Sequence, residues 1–376
     1  MREDAVGPNR DFGISLYKEL AAGNPQENIF FSPISLMFAL GIALLGSRGE
    51  TEKQLKSVMK IENMINADMH QGLFKLKSFL EDEKNPHELH IANRLFIEKS
   101  ETLRGGFSKD CQKYYGSDPE KVEFMNDAPA CVAKINRWVE KLTKGKIKNL
   151  ISAADVSSST KLILINAIVF KGTWMTKFYE TESGEFSISP GSTVGIKFMI
   201  IQKLQAKYCD CKKLKSQILE LPYKDKSMSF VIILPDVEQT NIENVEKKLD
   251  SGVLSEINEK LTETKLKIRL PKFSMTKESK VTEKLQTLGL TDLFIKGKAD
   301  LYNMNLKLDL YVSKLVHKAF IEVNEEGTVA AAATGVQLGT RSSSIYLDFN
   351  ANHPFIFYIK DNKLQTILFM GKFVKP

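Results

Sequence analysis

Apolar positions recur at helical spacing in some stretches of the chain and run unbroken in others, and these two patterns divide the sequence into elements. Phe12, Leu16 and Leu20 fall every four residues between Asp11 and a glycine stop at Gly23, which predicts an amphipathic first helix. Asn28 to Gly46 (NIFFSPISLMFALGIALLG) is apolar nearly all round, so a helix opening near Pro33 should be buried, with Ser32 and Ser35 needing internal hydrogen bonds. Asp127, Ala128 and Pro129 make a helix start, after which Val132, Ile135, Val139 and Leu142 would form one face ending near Gly145. Lys161 to Lys171 is a continuous apolar run that reads as a strand buried on both faces, and Asn166 at its centre must find a partner. Met228–Leu234, Leu266–Leu270, Phe355–Ile359 and Thr366–Phe373 read as further strands, whereas Asn244–Leu261 and Lys277–Leu288 read as helices. Helices early and strands late argue for an α+β fold with large sheets.

Length and composition narrow the class. A chain of 376 residues with 43% hydrophobic content can build a substantial core, and the absence of a linker, repeat or low-complexity run favours one domain over residues 1–376. The longest apolar stretches, Met37–Leu45 and Leu162–Phe170, are too short to cross a bilayer, so no membrane partner is expected. The net charge of +7 favours acidic partners without identifying nucleic acid. The densest basic stretches, Lys141–Lys148 and Lys203–Lys215, lack the aromatic interleaving of a single-strand binder; a solvated surface is the plain reading and a polyanion such as a glycosaminoglycan the sharper one. Cys111, Cys131, Cys209 and Cys211 are too few for a disulfide framework and read as free thiols. The start of the chain has no apolar leader-like run and the sequence has no Asn-x-Ser/Thr sequon, which fits either a leaderless protein or a mature secreted one.

Catalytic motifs are missing. The histidines His70, His87, His90, His317 and His353 sit in no base or ligand motif, and His87-Glu-Leu-His90 lacks the i, i+4 spacing of a zinc helix, so it reads as a surface loop near Pro86. No nucleophile elbow, P-loop or dinucleotide fingerprint occurs, which leaves an enzyme without support and no cofactor implied.

The most distinctive stretch is Glu325 to Ser343, EEGTVAAAATGVQLGTRSS. Four consecutive alanines taken alone favour helix, but Gly327, Gly335 and Gly339 would weaken it by roughly 1 kcal/mol each, so a surface loop or a short frayed helix is expected. In an extended conformation Thr328, Ala330, Ala332, Thr334, Val336 and Leu338 share one face, and the small side chains up to Ala333 would let the segment enter a sheet without overpacking. Arg341, followed by three serines, is the kind of basic side chain that a trypsin-like protease accepts in its acidic pocket, which makes Arg341–Ser342 the expected scissile bond.

Across its whole length the chain resembles the serpins, the serine protease inhibitor family. NIFFSPISL (Asn28–Leu36), LGSRGET (Leu45–Thr51), ANRLF (Ala92–Phe96), INRWVEKLTKGKIKNLI (Ile135–Ile151) and LINAIVFKGTW (Leu164–Trp174) carry the resemblance in its first half. ELPYKDKSMSFVIILP (Glu220–Pro235), LPKF (Leu270–Phe273), VHKAFIEVNEEGT (Val316–Thr328) and FNANHPFIFYI (Phe349–Ile359) complete it. The resemblance implies three β-sheets, about nine helices, an exposed reactive-centre loop at about 325–347 and a metastable monomer. It implies that a protease cuts the loop, is held as a covalent acyl-enzyme, and is disabled when the freed segment inserts into the central sheet. It also implies roles: Glu325, Gly327, Thr328 and Ala330, Ala331, Ala332 and Ala333 as the hinge; Ser32, Ser35, Asn166 and His317 as a polar shutter under the sheet; Trp174, Lys272 and Glu325 as the breach where insertion starts. A Lys272–Glu325 ion pair is expected there, and Glu325 to Arg341 spans 17 residues, the hinge-to-bond length of inhibitory members. Inhibition points to a secreted protein. A non-inhibitory binding or chaperone serpin, and an inhibitor of cysteine proteases, are the alternatives.

Overall fold

The computed structural model describes residues 6–81, 87–307, 309–326 and 345–376. Its helices are α1 (Val6–Gly23), α2 (Pro33–Gly46), α3 (Gly49–Val58), α4 (Asn66–Leu80), α5 (Gly105–Tyr115), α6 (Ala128–Leu142), α7 (Ile242–Lys248), α8 (Ser251–Lys260) and α9 (Val281–Thr287). Five strands form one sheet in the order β10 (Phe273–Ser279), β11 (Lys314–Val323), β4 (Leu162–Lys171), β2 (Glu88–Glu98) and β3 (Glu120–Val122). The larger sheet runs β1 (Ile29–Phe31), β14 (Thr366–Phe373), β13 (Phe355–Asp361), β8 (Met228–Pro235), β7 (Ser216–Pro222), β6 (Ser192–Cys211), β9 (Thr262–Pro271) and β12 (Leu347–Asn350), with β5 (Glu180–Ser189) also on β6.

Three separate sheets were expected, and hydrogen bonding joins two of them. The long strand β6 carries a register shift between Ile201 and Leu204; before it β6 pairs with β5 and the end of β9, and beyond it with the start of β9 and with β7. A bulge of this kind bends a strand, so one continuous ladder serves what the sequence suggested were two sheets.

The five-stranded sheet is covered on both faces, which explains the unbroken apolar run of β4. Leu162, Leu164, Ile168 and Phe170 enter the main core, whereas Ile163, Ile165, Ala167 and Val169 enter a second cluster under α6. Asn166 has the parity of the first set and faces α2. That helix is buried along almost its whole length, opens on Pro33 and is capped by Ser32, whose Oγ accepts from Ser35 N–H.

Several expected boundaries shift. The first helix begins at Val6, ahead of Asp11. Asn244–Leu261 is two helices, because Asp250 turns extended and caps α8 by accepting from Val253 N–H at 2.7 Å. Lys277–Ser279 belong to β10, paired with β11, so the helix expected from Lys277 covers only α9. On α6 the buried residues are Cys131, Ile135 and Val139, while Leu142 is 41% exposed: Ile135 and Val139 face inward as expected, but a cysteine takes the inward place expected of Val132. His87 and His90 do not lie on a surface loop. His90 is part of β2, and His87 is buried against Phe170 and Tyr223.

Candidate functional site: a parallel seam and its polar fastenings

β4 and β11 run parallel and pair directly from Lys314↔Ile163 to Ile321↔Phe170. The chain leaves the end of β11 at Val323, and residues 345–376 resume on the other sheet, where β12 pairs in parallel with β9. The expected hinge residues Gly327, Thr328, Ala330, Ala331, Ala332 and Ala333, and the expected reactive bond Arg341–Ser342, lie outside the described residues.

Midway along the seam, one polar row crosses the sheet. Ser279, His317, Asn166 and Asn93 are register partners on β10, β11, β4 and β2. Ser32 N–H donates to His317 Nε2 at 3.2 Å, so the ring carries its proton on Nδ1 and donates it to Asn166 Oδ1. Asn166 Nδ2 donates to Ser35 O at 2.9 Å, to Ser35 Oγ at 2.6 Å and to Asn93 Oδ1. Ser32 Oγ reaches the other sheet, donating to Leu368 O at 2.7 Å. The start of α2 thus fastens β2, β4, β11 and β14 together. Burial lowers the pKa of His317 to about 3, so the imidazole is neutral at physiological pH and fits its acceptor role.

At the end of the seam a second set of contacts holds the chain just before the undescribed segment. Trp174 is 4% exposed, stacked on Tyr223 with centroids 4.6 Å apart, and its Nε1–H donates to Asn324 O at 2.8 Å. Phe178 N–H donates to Glu325 O at 3.0 Å, and Trp174 N–H to Glu326 O at 3.4 Å. Lys272 Nζ donates to both carboxylate oxygens of Glu325 at 2.8 Å, the ion pair expected from the sequence. Partial burial raises the pKa of Glu325, but the Lys272 bond, a backbone hydrogen bond and the charges of Lys272 and Lys197 outweigh it and hold the carboxyl below its usual range.

Ser32, Ser35, Asn166 and His317 are therefore brought into one cluster, and Trp174, Lys272 and Glu325 into another. Asn93 was missed. So were Tyr223, Phe178 and Asn324, whose contacts here run through a ring face or the backbone. Among the described residues no group of three His, Cys, Asp or Glu side chains could hold a metal ion, no helix is long and apolar enough to cross a membrane, and all four cysteines are free thiols. Of the basic stretch at 141–148, Lys144, Lys146 and Lys148 pair with Glu88, Glu322 and Glu140.

The family model for serpins, serine protease inhibitors, matches residues 8–376. The chain belongs to the serpin family. The chain is similar to a leukocyte elastase inhibitor of Equus caballus, 38% identical over 375 residues covering 98% of each protein. It is also similar to Serpin B8 of Homo sapiens, 35% identical with both chains fully covered. Uncleaved ovalbumin superposes with a TM-score of 0.92 at 29% identity over 99% of this serpin and 100% of the ovalbumin chain. Human thyroxine-binding globulin gives 0.91 at 28% identity over 100% and 99% of the two chains. The fold is the serpin fold, and the family is one of protease inhibitors.

Proposed function

We propose that this serpin is a covalent, loop-insertion inhibitor of trypsin-like serine proteases, cleaved between Arg341 and Ser342. The supporting observation is the β4–β11 seam: two parallel neighbours joined by one ladder, with the small-residue stretch Thr328–Ala333 starting just past the end of β11. A strand entering antiparallel between them keeps every backbone group paired and adds a second ladder. The protease serine attacks the Arg341 carbonyl carbon, the bond to Ser342 breaks, Ser342 leaves as a new amino terminus, and the protease remains esterified to Arg341. The thirteen residues Thr328–Thr340 would extend over roughly 43 Å as a strand, carrying the protease away from the end of β11 before its deacylation is complete.

The test is incubation of the purified protein with trypsin, read by denaturing gel and by mass spectrometry. A complex that survives denaturation, with a released peptide beginning at Ser342, is expected; cleavage at that bond without a complex would mean a substrate rather than an inhibitor. A second reading takes Leu338 as the specificity residue for a chymotrypsin-like protease. The naming of several similar proteins as leukocyte elastase inhibitors favours it over a strict arginine requirement. Chymotrypsin would then release a peptide beginning at Gly339.

A further inference from the structure

We propose that Asn324 is a positioning residue for strand insertion: its side chain preforms the reversal through which the chain leaving β11 turns back into the β4–β11 seam. The proposal rests on the insertion reading above and names the residue that sets its geometry.

The need for a reversal is topological. β11 and β4 run parallel, and the chain leaves β11 at Val323. A strand that continues this chain and lies between the two must therefore run antiparallel to both, and antiparallel neighbours are joined by tight turns. With the inserting strand starting at Thr328, the turn falls to Asn324, Glu325, Glu326 and Gly327. Asn in the first place and Gly in the fourth are the preferences of a type I turn, on which most four-residue hairpin loops are built.

The described part of this corner is already set in the intact chain. Asn324 Oδ1 accepts from Glu326 N–H at 3.2 Å, a side-chain bond two residues ahead that mimics a backbone turn. Asn324 Nδ2 donates to Glu322 Oε1 at 3.1 Å, and the other oxygen of Glu322 lies 3.6 Å from Lys171 on β4. Together the two bonds fix the amide orientation, since the reverse would set an amino group against an N–H and an oxygen against a carboxylate. The carbonyls of the same residues are held from the β4 side: Asn324 O by Trp174 Nε1–H, Glu325 O by Phe178 N–H and Glu326 O by Trp174 N–H. Asn324 takes part in both sets, so the corner is fastened to the end of β11 and to the chain beyond β4. Fixing backbone is a main cost of forming structure. A corner ordered in advance lets the freed strand start pairing as soon as the bond is cut, in competition with deacylation of the protease. A residue that only closed the end of β11 would alter the stability of the intact protein and leave that competition unchanged.

The test uses trypsin and the purified full chain, with complex and cleaved serpin separated on denaturing gels. Asn324→Ala should raise severalfold the amount of serpin consumed for each trypsin captured, while the rate of loop cleavage stays that of the parent; Asn324→Gln, whose longer side chain displaces the acceptor, serves if circular dichroism shows the alanine variant misfolded. Asn324→Asp keeps an oxygen for Glu326 N–H and loses the donation to Glu322. It should partition like the parent, with Asn324→Ser in its place if the added acid disturbs the fold. An unchanged ratio in a folded variant without the acceptor, or an equal rise in the variant that keeps it, would overturn the role of Asn324 and leave the inhibitory reading in place. If the parent captures no trypsin, that reading fails, and the corner is tested on chain nicked in the cold within residues 327–344 and then warmed. Heat-resistant protein should accumulate more slowly in the alanine variant; equal rates, or no gain of heat resistance in the parent, would overturn the corner as well.

Discussion

His317 is a base kept neutral by burial in the middle of the seam, and its chemistry makes a pH prediction. Its pKa of about 3 in the fold lies below the 6.5 of an exposed histidine. Between those values the unfolded chain binds the proton and the native chain does not, so its contribution is complete above about pH 6.5 and is lost as pH falls toward 3, at roughly 1.4 kcal/mol per pH unit. His70, His87 and His353 are also lowered, chiefly by burial, and add to the slope. Denaturation of the native protein at pH 6.5 and 5.0 should show His317→Gln losing about 2 kcal/mol less stability over that interval than the parent chain. Equal losses would mean that His317 is protonated in the fold. The breach pair makes a different prediction. Lys272 is 42% exposed, so its pairing with Glu325 contributes about 1 kcal/mol or less after solvent screening. Glu325→Lys adds a cation facing Lys272 and should lower the temperature at which the protein polymerises on heating. The charge-swapped double variant Lys272→Glu with Glu325→Lys should restore it, and a normal scattering onset in the single variant would remove the pair from the control of opening. At this scale Asn166 was legible because it interrupts a run of eight buried apolar neighbours, and Ser32 and Ser35 because they sit at the mouth of an all-apolar helix. Asn93 was harder to read because β2 mixes buried and half-buried positions with no clean contrast around it.

At the scale of elements, strands β2, β4 and β11 are joined near the breach by one row of charges. Glu88 on β2, Lys171 on β4 and Glu322 on β11 are linked by Lys171 contacts of 4.0 and 3.6 Å, and Lys144 and Lys146 from the loop after α6 extend the row to 3.0 Å from Glu88 and 3.9 Å from Glu322. A strand entering the seam would add about 4.8 Å between Lys171 and Glu322 and break that link. A double-mutant cycle on Lys171→Ala and Glu322→Ala should give a coupling of about 0.5–1 kcal/mol that shrinks at high salt. Each single variant should also speed complex formation with trypsin, and additive effects with no salt dependence would show that the two charges act separately. Two elements were legible from the sequence: α2 from its proline and all-round apolar pattern, and β4 from its unbroken apolar run. The misreadings arose where pairing overrode local pattern. Lys277–Ser279 has helical composition but is held extended by β11, and His87–His90 resembles a polar turn but its last three residues start β2. The two-sheet ladder through β6 was invisible because a single bulge within twenty residues decides it.

For the molecule as a whole, the proposed insertion would make the intact fold less stable than its cleaved, inserted arrangement. A thirteen-residue strand between β4 and β11 replaces one ladder with two, and at roughly 1 kcal/mol for each added hydrogen bond the gain is on the order of 10 kcal/mol, with burial of Val336 and Leu338 adding to it. An unfolding entropy of about 2.1 cal/mol/K per residue over this chain makes that gain worth a rise in Tm on the order of 10 °C. The whole family-sized architecture therefore predicts a calorimetric result: protein nicked within residues 327–344 by a protease that does not remain attached should unfold at a higher temperature than intact protein, although it has lost a covalent bond. Nicking an ordinary surface segment leaves Tm unchanged or lowers it, because the broken chain gains freedom when unfolded. An unchanged or lower Tm would mean that the β4–β11 ladder stays shut after cleavage, leaving the serpin fold in place but without the stored energy on which the proposed mechanism depends.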